Sequence, residues 1–174
     1  MPEARLRMYR QPKSAEREHA TVDKSEFEQM YQTYGPALYR FCLLQMKNSA
    51  DAEDVLQEVF FKRLSRKPRF CSPEHERRWL FRTALNQCRD EWRRSRRSEL
   101  PLTAAENVAL ADSELSLLDQ VSDLPQAQRT VLHLYYYEGY SVDEIARLLR
   151  TGKSAVKMRL SRGRAALRRE WEGD

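Results

Sequence analysis

Residues 140–167, YSVDEIARLLRTGKSAVKMRLSRGRAAL, contain two short helical patterns with an interruption between them. Ser141 is followed three residues later by Glu144, which is the capping-box pattern that begins a helix. Residues 150–152 break the helical periodicity, and Ser154 is expected to cap the helix that follows. The pattern predicts a helix-turn-helix.

The second of these helices has an apolar face and a polar, basic face. Val156, Leu160, Gly163 and Leu167 recur at intervals of four, three and four residues, so they are expected to face inward. Basic and polar side chains then point outward, as a helix lying in a DNA major groove requires. The candidate duplex-reading residues are Lys153, Ser154, Lys157, Met158, Arg159, Ser161 and Arg162. A helical hairpin with a solvated basic face is the alternative interpretation.

The composition of the whole chain favours an all-α protein made of two small helical domains. The chain has 174 residues, only 5 glycines and a net charge of +5, and most of its apolar residues recur at helical spacing. We expect an N-terminal tail at 1–24, a first domain at 25–97, a flexible linker at 98–113 and a second domain at 114–174. Acidic and basic residues cluster separately, which favours two partners of opposite charge.

Several functional classes are excluded by what the sequence lacks. The first two dozen residues have no long apolar segment, so we expect a cytoplasmic protein without membrane insertion. Cys42, Cys71 and Cys88 are odd in number and widely spaced, which indicates neither a disulfide framework nor a zinc site. The histidines are dispersed and match no catalytic grouping. We therefore expect no enzyme activity, no metal and no cofactor.

The first domain is expected to begin with two helices separated at Gly35-Pro36, the second of which runs through Met46. After Asn48, a natural N-cap, residues 51–64 (DAEDVLQEVFFKRL) form a strongly amphipathic pattern. Its apolar side comprises Ala52, Val55, Leu56, Val59, Phe60 and Leu64. Its other side carries Asp51, Asp54, Gln57, Glu58 and Phe61. Two interpretations remain open: a protein-binding surface, or a Phe61 ring covered by a neighbouring helix beside acids that favour the helix N-terminus.

A long basic helix is predicted from Ser72-Pro73 to about Arg97. Phe81, Leu85, Cys88 and Trp92 form its apolar stripe, while a second stripe is cationic except for one carboxamide. This second stripe comprises Arg82, Asn86, Arg89, Arg93 and Arg96. Such a surface suits a phosphate backbone, and the carboxamide can also bond to a base edge. Phe70, Trp79 and Phe81 add rings that could stack on unpaired bases, or that could be ordinary core.

Three segments, in this order, resemble the bacterial RNA polymerase sigma factors of the extracytoplasmic function group, which consist of two helical domains and a linker. Residues 51–64 resemble the family's polymerase-binding helix, and residues 79–97, WLFRTALNQCRDEWRRSRR, resemble its promoter-melting helix. Residues 124–149 and 154–167 are similar to its second domain. The resemblance covers most of the chain and implies a subunit without a catalytic centre that gives RNA polymerase its promoter choice.

The resemblance also implies partners and residue roles. Asp51, Asp54, Gln57, Glu58 and Phe61 would bind the coiled coil of the largest polymerase subunit. The loop at 65–71 would receive a flipped base of the minus-ten element. The implied minus-ten residues are Lys67, Arg69, Phe70, Arg82, Asn86, Arg89 and Arg93. The basic face of the last helix would read the minus-thirty-five element as duplex, and an anti-sigma factor is an implied further partner.

The sequence departs from the family pattern at three places. Arg150 and Gly152 stand where the family has Gly and Pro in the turn, so a different backbone path is expected there. His75 and Glu76 stand at the start of the long helix, where the family more often has an aromatic and a small polar residue. Met158 replaces a common serine, so no family promoter sequence is transferred to this chain.

Two other functions fit parts of the pattern. One is a helix-turn-helix regulator that binds operator DNA as a dimer without polymerase. The other is a helical adaptor whose basic helix binds an acidic protein. Only the sigma-factor interpretation requires tight association with core RNA polymerase.

Overall fold

A computed structural model describes residues 24–95, Val121 and residues 123–172. The expected N-terminal tail, except Lys24, lies outside these residues, as do the expected linker and Arg96. In the described part of the chain every regular element is helical, which confirms the all-α class. The helices are α1 (Lys24–Met46), α2 (Ser49–Arg66), α3 (Pro73–Ser95), α4 (Gln126–Leu132), a π-helical segment (His133–Tyr137), α5 (Val142–Leu149) and α6 (Lys153–Glu172).

Helix α1 is continuous, so the predicted break at Gly35-Pro36 is wrong. Pro36 removes one backbone donor from the helix interior, which by itself disfavours a helix. Packing on both sides of Pro36 compensates for this loss. Met30 and Leu38 are buried in one core. Gly35 lies so close to the Tyr31 ring that a Cβ added at Gly35 would be 3.3 Å from the ring. Tertiary burial therefore overrides the local signal.

Helices α1, α2 and α3 pack against one another to form the N-terminal domain. The predicted Asn48 cap is confirmed, since its side-chain oxygen accepts a hydrogen bond from the Asp51 N–H at 3.1 Å. All six residues of the predicted apolar side of α2 are buried. Helix α3 begins at Pro73 as predicted, and Ser72 Oγ accepts a hydrogen bond from the His75 N–H at 3.2 Å.

Helices α4, α5 and α6, with the π-helical segment, form the C-terminal domain. The predicted capping box is present, with Ser141 Oγ accepting from the Glu144 N–H and the Glu144 carboxylate accepting from the Ser141 N–H. The predicted Ser154 cap is wrong, because α6 already begins at Lys153 and the Val156 N–H bonds to the Gly152 carbonyl. The segment between α5 and α6 is shorter than expected, so Ser154 lies within the first turn of α6.

The turn between α5 and α6 places Arg150 in the left-handed region, with φ 51° and ψ 51°. A glycine adopts this conformation without cost, whereas a side chain makes it unfavourable. The Arg150 N–H still bonds to the Arg147 carbonyl, and the Thr151 N–H bonds to the Ala146 carbonyl. The hydrogen bonds that end α5 therefore form despite the missing glycine.

Helix α6 crosses α4 at a point of very close approach. Val156, Leu160 and Gly163 are buried, as the spacing predicted, and Leu167 is half-buried. A Cβ added at Gly163 would lie 2.7 Å from Leu132 Cδ1, closer than packed carbon atoms allow. Gly163 thus sets the separation of the two helices.

The two domains are in contact through α1 with α4 and through α3 with α5. The contact is partly apolar: the Phe41 ring lies 5.5 Å from the His133 ring, and the Phe81 ring lies 5.9 Å from the Tyr140 ring. The hydroxyl of Thr130 also lies 3.2 Å from the side-chain oxygen of Gln45, and both residues are buried. The sequence predicted two helical domains but not this packing between them.

Candidate nucleic-acid and protein interfaces

The acidic side of α2 is open to solvent at its centre. Asp54 and Gln57 are exposed, and 65% of the Phe61 side chain is accessible. In the described part of the chain no neighbouring helix covers the Phe61 ring, which argues against the second of the two interpretations left open by the sequence. An exposed aromatic ring among carboxylates is the composition of a protein-binding surface.

Asp51 and Glu58 lie at the margins of this surface and are half-buried. Burial raises the pKa of the Asp51 carboxyl, and the neighbouring carboxylates of Glu91 and Asp54 raise it further. Glu58 pairs with Lys62 at 3.5 Å, and Lys62 also donates to Gln87 on α3. Glu58 therefore has part of its charge compensated within the domain, whereas Asp54 faces solvent.

Sequence reasoning missed an aromatic groove beside this surface. Phe27, Tyr31 and Tyr39 from α1 line it together with Gln57 and Phe61 from α2. The Phe27 and Tyr31 rings stack at 5.9 Å between centroids, and 47% of Tyr31 is accessible. The spacing of Phe27 and Tyr31 along one helix face was visible in the sequence, but their position next to Phe61 follows only from the packing of α1 on α2.

The loop between α2 and α3 is braced around Phe70. The Arg63 guanidinium lies 5.1 Å from the centre of the Phe70 ring, and the His75 and Trp79 rings approach it edge-on at 5.4 and 5.9 Å. Arg63 Nε also donates to Glu76 Oε1 at 2.6 Å. Glu76, a departure from the family pattern, therefore supports the loop.

The predicted loop residues differ in accessibility. Lys67 and Arg69 are exposed, and Phe70 is half-buried among the rings that brace it. Lys67 ends α2 in the left-handed conformation, φ 41°, with its N–H bonded to the Arg63 carbonyl. Cys71 is exposed, with its sulfur 3.3 Å from His75 Nδ1. The loop thus presents two cations outward above a fixed aromatic cluster.

The basic stripe of α3 is open over most of its length. Asn86, Arg89 and Arg93 are exposed, and Arg93 makes a solvent-exposed ion pair with Asp90 at 3.4 Å. Arg82 differs, because it is half-buried and its guanidinium lies 3.5 Å from the Arg147 carbonyl of the C-terminal domain. Burial lowers the pKa of Arg82, and the nearby charge of Arg150 lowers it further.

Helix α6 presents most of its predicted reading residues to solvent. Lys153, Ser154, Lys157, Met158, Ser161 and Arg162 are exposed, whereas Arg159 is half-buried. Lys153 is also paired across the turn with Asp143, Nζ to Oδ2 at 2.6 Å, and this pairing lowers the pKa of the Asp143 carboxyl. The exposed face combines cations, hydroxyls and the Met158 thioether, which can contact phosphates, base edges and thymine methyl groups respectively.

A buried ionic cluster joins the two domains and was not predicted. Arg77 Nη2 donates to Glu138 Oε2 at 2.6 Å, and Arg77 Nη1 donates to the Glu138 carbonyl at 3.0 Å. The other carboxylate oxygen of Glu138 accepts from His133 Nε2 at 3.0 Å. Although burial opposes ionisation of Glu138, the bonds from His133 and the charge of Arg77 outweigh it, and its pKa is lowered.

The described residues contain neither a cluster of metal ligands nor a membrane-spanning helix. No group of three or more histidine, cysteine, aspartate or glutamate side chains in the described ranges could hold a metal ion. None of the described helices is long and apolar enough to cross a bilayer.

Comparison with known proteins identifies both halves of the chain. Residues 30–98 match the Sigma-70 region 2 family model, and residues 114–167 match the Sigma-70, region 4 model. The chain is similar to the ECF RNA polymerase sigma factor SigM of Mycobacterium tuberculosis, with 28% identity over 87% of this chain and 80% of SigM.

Two solved structures are also similar. RpoE of Bartonella quintana, solved with the anti-sigma factor NepR, has a TM-score of 0.70 and 23% identity over 86% of this chain and 99% of RpoE. CnrH, solved with the cytosolic domain of CnrY, has a TM-score of 0.63 and 26% identity over 87% of this chain and 91% of CnrH.

A helical domain of region 2 type followed by a helix-turn-helix domain of region 4 type defines a transcription initiation factor. The chain belongs to the sigma-70 family and, within it, to the extracytoplasmic function group of RNA polymerase sigma factors. As a member of this family it binds core RNA polymerase and directs initiation at promoters.

Proposed function

We propose that three separate surfaces of this sigma factor divide the work of initiation: α2 binds the polymerase, the α2–α3 loop with α3 captures melted minus-ten bases, and α6 reads the minus-thirty-five duplex. The observation that carries this proposal is the accessible α2 surface, where an open Phe61 ring stands beside exposed Asp54 and Gln57. A regulator that binds DNA alone has no use for such a surface.

The polymerase partner is a coiled coil of its largest subunit, bound by Asp51, Asp54, Gln57, Glu58 and Phe61. The carboxylates favour a partner segment that carries basic side chains, because complementary charge steers and orients docking. The exposed Phe61 ring and the groove lined by Tyr31 and Tyr39 offer apolar area next to those charges. An aromatic anchor within a polar rim is the arrangement that dominates binding energy in protein interfaces.

The minus-ten surface combines fixed rings with outward cations. A base that leaves the duplex loses stacking energy of a few kcal/mol, which the receiving protein must offset. The Phe70 cluster, braced by Arg63 and Trp79, offers a preformed stacking site. Lys67 and Arg69 on the loop, with Arg89 and Arg93 on α3, bind the phosphates of the unpaired strand, and Asn86 bonds to a base edge.

The minus-thirty-five surface is the exposed face of α6. Arg162 and Lys157 are long enough to reach guanine edges or phosphates. Ser154 and Ser161 make short hydrogen bonds to base edges or phosphates. Met158 contacts an apolar base atom. The Asp143–Lys153 pair joins the first turn of α5 to the start of α6, and α5 packs on α6 as a first helix supports a recognition helix.

We also propose an anti-sigma partner and a cytoplasmic location. The solved structure of CnrH is a complex with the cytosolic domain of another protein, CnrY, and CnrH is similar to this chain over nearly its whole length. A polymerase subunit that acts on promoters works where the chromosome is, which in bacteria is the cytoplasm.

Reconstitution with core polymerase tests the proposal and separates it from the two rival functions. The chain is incubated with core enzyme, and transcripts are sequenced from a promoter library. We expect a stable complex and promoter-dependent transcripts. A helix-turn-helix regulator would bind duplex DNA without joining the polymerase, and a helical adaptor would give neither complex nor transcript, so either result would refute the proposal.

Reversing the charge of Asp54 and Glu58 together tests the assignment of the acidic surface. The double variant Asp54→Lys, Glu58→Lys should lose polymerase binding while its affinity for duplex DNA is unchanged. Retention of wild-type polymerase binding would contradict the assignment.

A further inference from the structure

The aromatic groove between α1 and α2 combines an apolar lining with acidic charge. Phe27, Tyr31 and Phe61 line it, and the Tyr31 and Phe61 rings are accessible to solvent. Glu53 also lines the groove and is exposed, as is the adjacent Asp54. The groove has a volume of about 840 Å³, which is in the range of clefts that hold a bound molecule. It therefore suits a segment that carries both apolar and basic side chains.

A buried hydroxyl at the groove also lacks a partner. Tyr39 lines the groove, and its Oη atom is buried without a hydrogen bond to any described residue. Buried polar groups in folded proteins are nearly always hydrogen-bonded, because an unpaired one costs free energy. A chain segment that lies in the groove can supply a backbone carbonyl as the missing acceptor.

The N-terminal tail contains a segment whose chemistry matches the groove. In residues 5–10, RLRMYR, three arginines are interspersed with Leu6, Met8 and Tyr9. Methionine and aromatic side chains make favourable contacts with exposed rings. The arginines complement the carboxylates of Glu53 and Asp54, and complementary charge orients docking. The tail thus offers both kinds of side chain that the groove requires.

The tail is also long enough, and it joins the domain beside the groove. Helix α1 begins at Lys24, and Phe27 follows three residues later. Residues 11–23 lie between this segment and α1, and a connection of that length spans roughly 45 Å when extended. The α1 side of the groove, from Phe27 to Tyr39, is only about 18 Å long. Residues 5–10 can therefore turn back along α1 and reach any part of the groove.

We propose that residues 5–10 occupy the aromatic groove in the free protein and compete there with core polymerase. Gln57 and Phe61 line the groove and also belong to the proposed polymerase-binding surface, so the two occupants exclude each other. The inference rests on that proposed surface. Covalent attachment gives the tail an effective concentration of about 1 mM, so an intrinsic dissociation constant of about 0.25 mM would keep about four-fifths of the grooves occupied.

Photo-cross-linking of the full-length chain tests the position of the tail. A photoreactive benzoylphenylalanine replaces Met8, and the cross-linked peptides are mapped by mass spectrometry. We expect cross-links within the chain to residues 27–39 and 53–64, and we expect core polymerase to suppress them.

A charge exchange tests whether the arginines direct this contact. Arg5→Glu with Arg7→Glu should reduce the yield of these cross-links severalfold, and so should Glu53→Lys alone. All three substitutions together should restore part of the yield, because the charges are complementary again. Circular dichroism verifies that each variant retains its helices.

Polymerase titration measures the competition. The chain with Arg5→Glu and Arg7→Glu should bind core polymerase about fivefold more tightly than the wild type, because emptying a groove that is about four-fifths occupied raises the competent fraction about fivefold. The matched control is Lys13→Glu with Arg17→Glu, which makes the same change of charge in the tail outside residues 5–10. The control should keep the wild-type affinity.

The outcomes distinguish the tail from the surface on which it acts. The proposal is overturned by absence of cross-links to the groove, or by a polymerase affinity of Arg5→Glu, Arg7→Glu that equals or falls below that of the control. Loss of promoter-DNA affinity with unchanged polymerase affinity would assign the tail to DNA instead. The polymerase-binding surface is tested separately by Asp54→Lys, Glu58→Lys, and the cross-linking result is independent of that test.

Discussion

Arg63 and Glu76 join the end of α2 to the start of α3 through a bond of 2.6 Å from Nε to Oε1, directly beneath the Phe70 ring. Both side chains are more than four-fifths buried. The shape of the proposed base-receiving loop therefore depends on two residues that need not touch DNA.

Replacement of Glu76 by alanine should loosen this loop. We expect the free energy of unfolding to fall by about 1–2 kcal/mol, because Arg63 loses a charge-assisted partner. Affinity for a pre-melted minus-ten bubble should weaken severalfold while affinity for the minus-thirty-five duplex is unchanged. Urea unfolding and fluorescence titrations measure these quantities, and equal weakening of both DNA affinities would argue against a local role for Glu76.

Phe60 and Phe61 are adjacent in sequence but should behave oppositely when shortened to alanine. Phe60 is buried, so Phe60→Ala should cost about 3–5 kcal/mol of stability. Phe61 is mostly exposed, so Phe61→Ala should leave stability within about 0.5 kcal/mol and weaken binding to core polymerase at least tenfold. Calorimetry and polymerase titration provide the two readouts, and normal polymerase affinity of Phe61→Ala would count against its role as an anchor.

Gly163→Val should destabilise the C-terminal domain by more than about 2 kcal/mol. The added carbon atoms would collide with Leu132, which is itself buried. Ala165→Val is the matched control, because it introduces the same β-branched residue on the same helix at an exposed position. Chemical denaturation compares the two variants, and similar stabilities would mean that the α4–α6 contact can relax around the extra volume.

Arg162→Ala should weaken binding of the minus-thirty-five duplex by about 1–3 kcal/mol and relax base preference at one position. Arg168→Ala removes another exposed arginine from the same helix, outside the proposed reading residues, and serves as the control. Binding measured over all single-base variants of the element resolves both effects. A uniform loss across sequences would indicate a phosphate contact instead of base reading.

Tyr140 should make the stability of the protein sensitive to high pH. Burial raises the pKa of Tyr140 to about 12, with Arg77 and Arg78 opposing this rise and Glu138 and Glu144 adding to it. A raised pKa means that the stabilising contribution is complete below pH 10 and is lost as the pH rises toward 12.

The variant Tyr140→Phe should therefore lose less stability than the wild type between pH 10 and pH 12, by on the order of 1 kcal/mol. Tyr136→Phe removes an exposed hydroxyl and should retain the wild-type pH profile. Thermal unfolding across this range makes the comparison, and coincident profiles for all three proteins would contradict the assignment to Tyr140.

Local sequence signals predicted the helices whose ends and faces are determined by nearby residues. The Asn48 cap, the start of α3 at Pro73 and the Ser141–Glu144 capping box depend on contacts within four residues, and all were confirmed. The exposure of Phe61 was left open, because the answer depends on where the other helices lie.

The Ser154 cap failed locally, because α6 already begins at Lys153, whereas two other failures have tertiary packing as their cause. Continuity of α1 through Pro36 depends on burial against two other helices, which no local signal reports. The contact of Arg77 with Glu138 joins residues 61 positions apart, and nothing in either segment marks the other as its partner. The roles assigned to individual DNA-binding residues remain predictions, since exposure permits a contact without specifying it.

Arg150, in its left-handed conformation, adds a charge repulsion to the contact between the two domains. The Arg150 guanidinium lies near that of Arg82, so two like charges repel each other at the contact between the domains. At the same contact Arg77 and Glu138 attract each other. Dissolved ions weaken the repulsion between partly exposed cations more than the attraction at a buried carboxylate. Added salt therefore weakens both the repulsion between Arg82 and Arg150 and the attraction of the partly exposed Arg78–Glu144 pair, and leaves the bonds to the buried Glu138 carboxylate as the electrostatic contact between the domains that changes least.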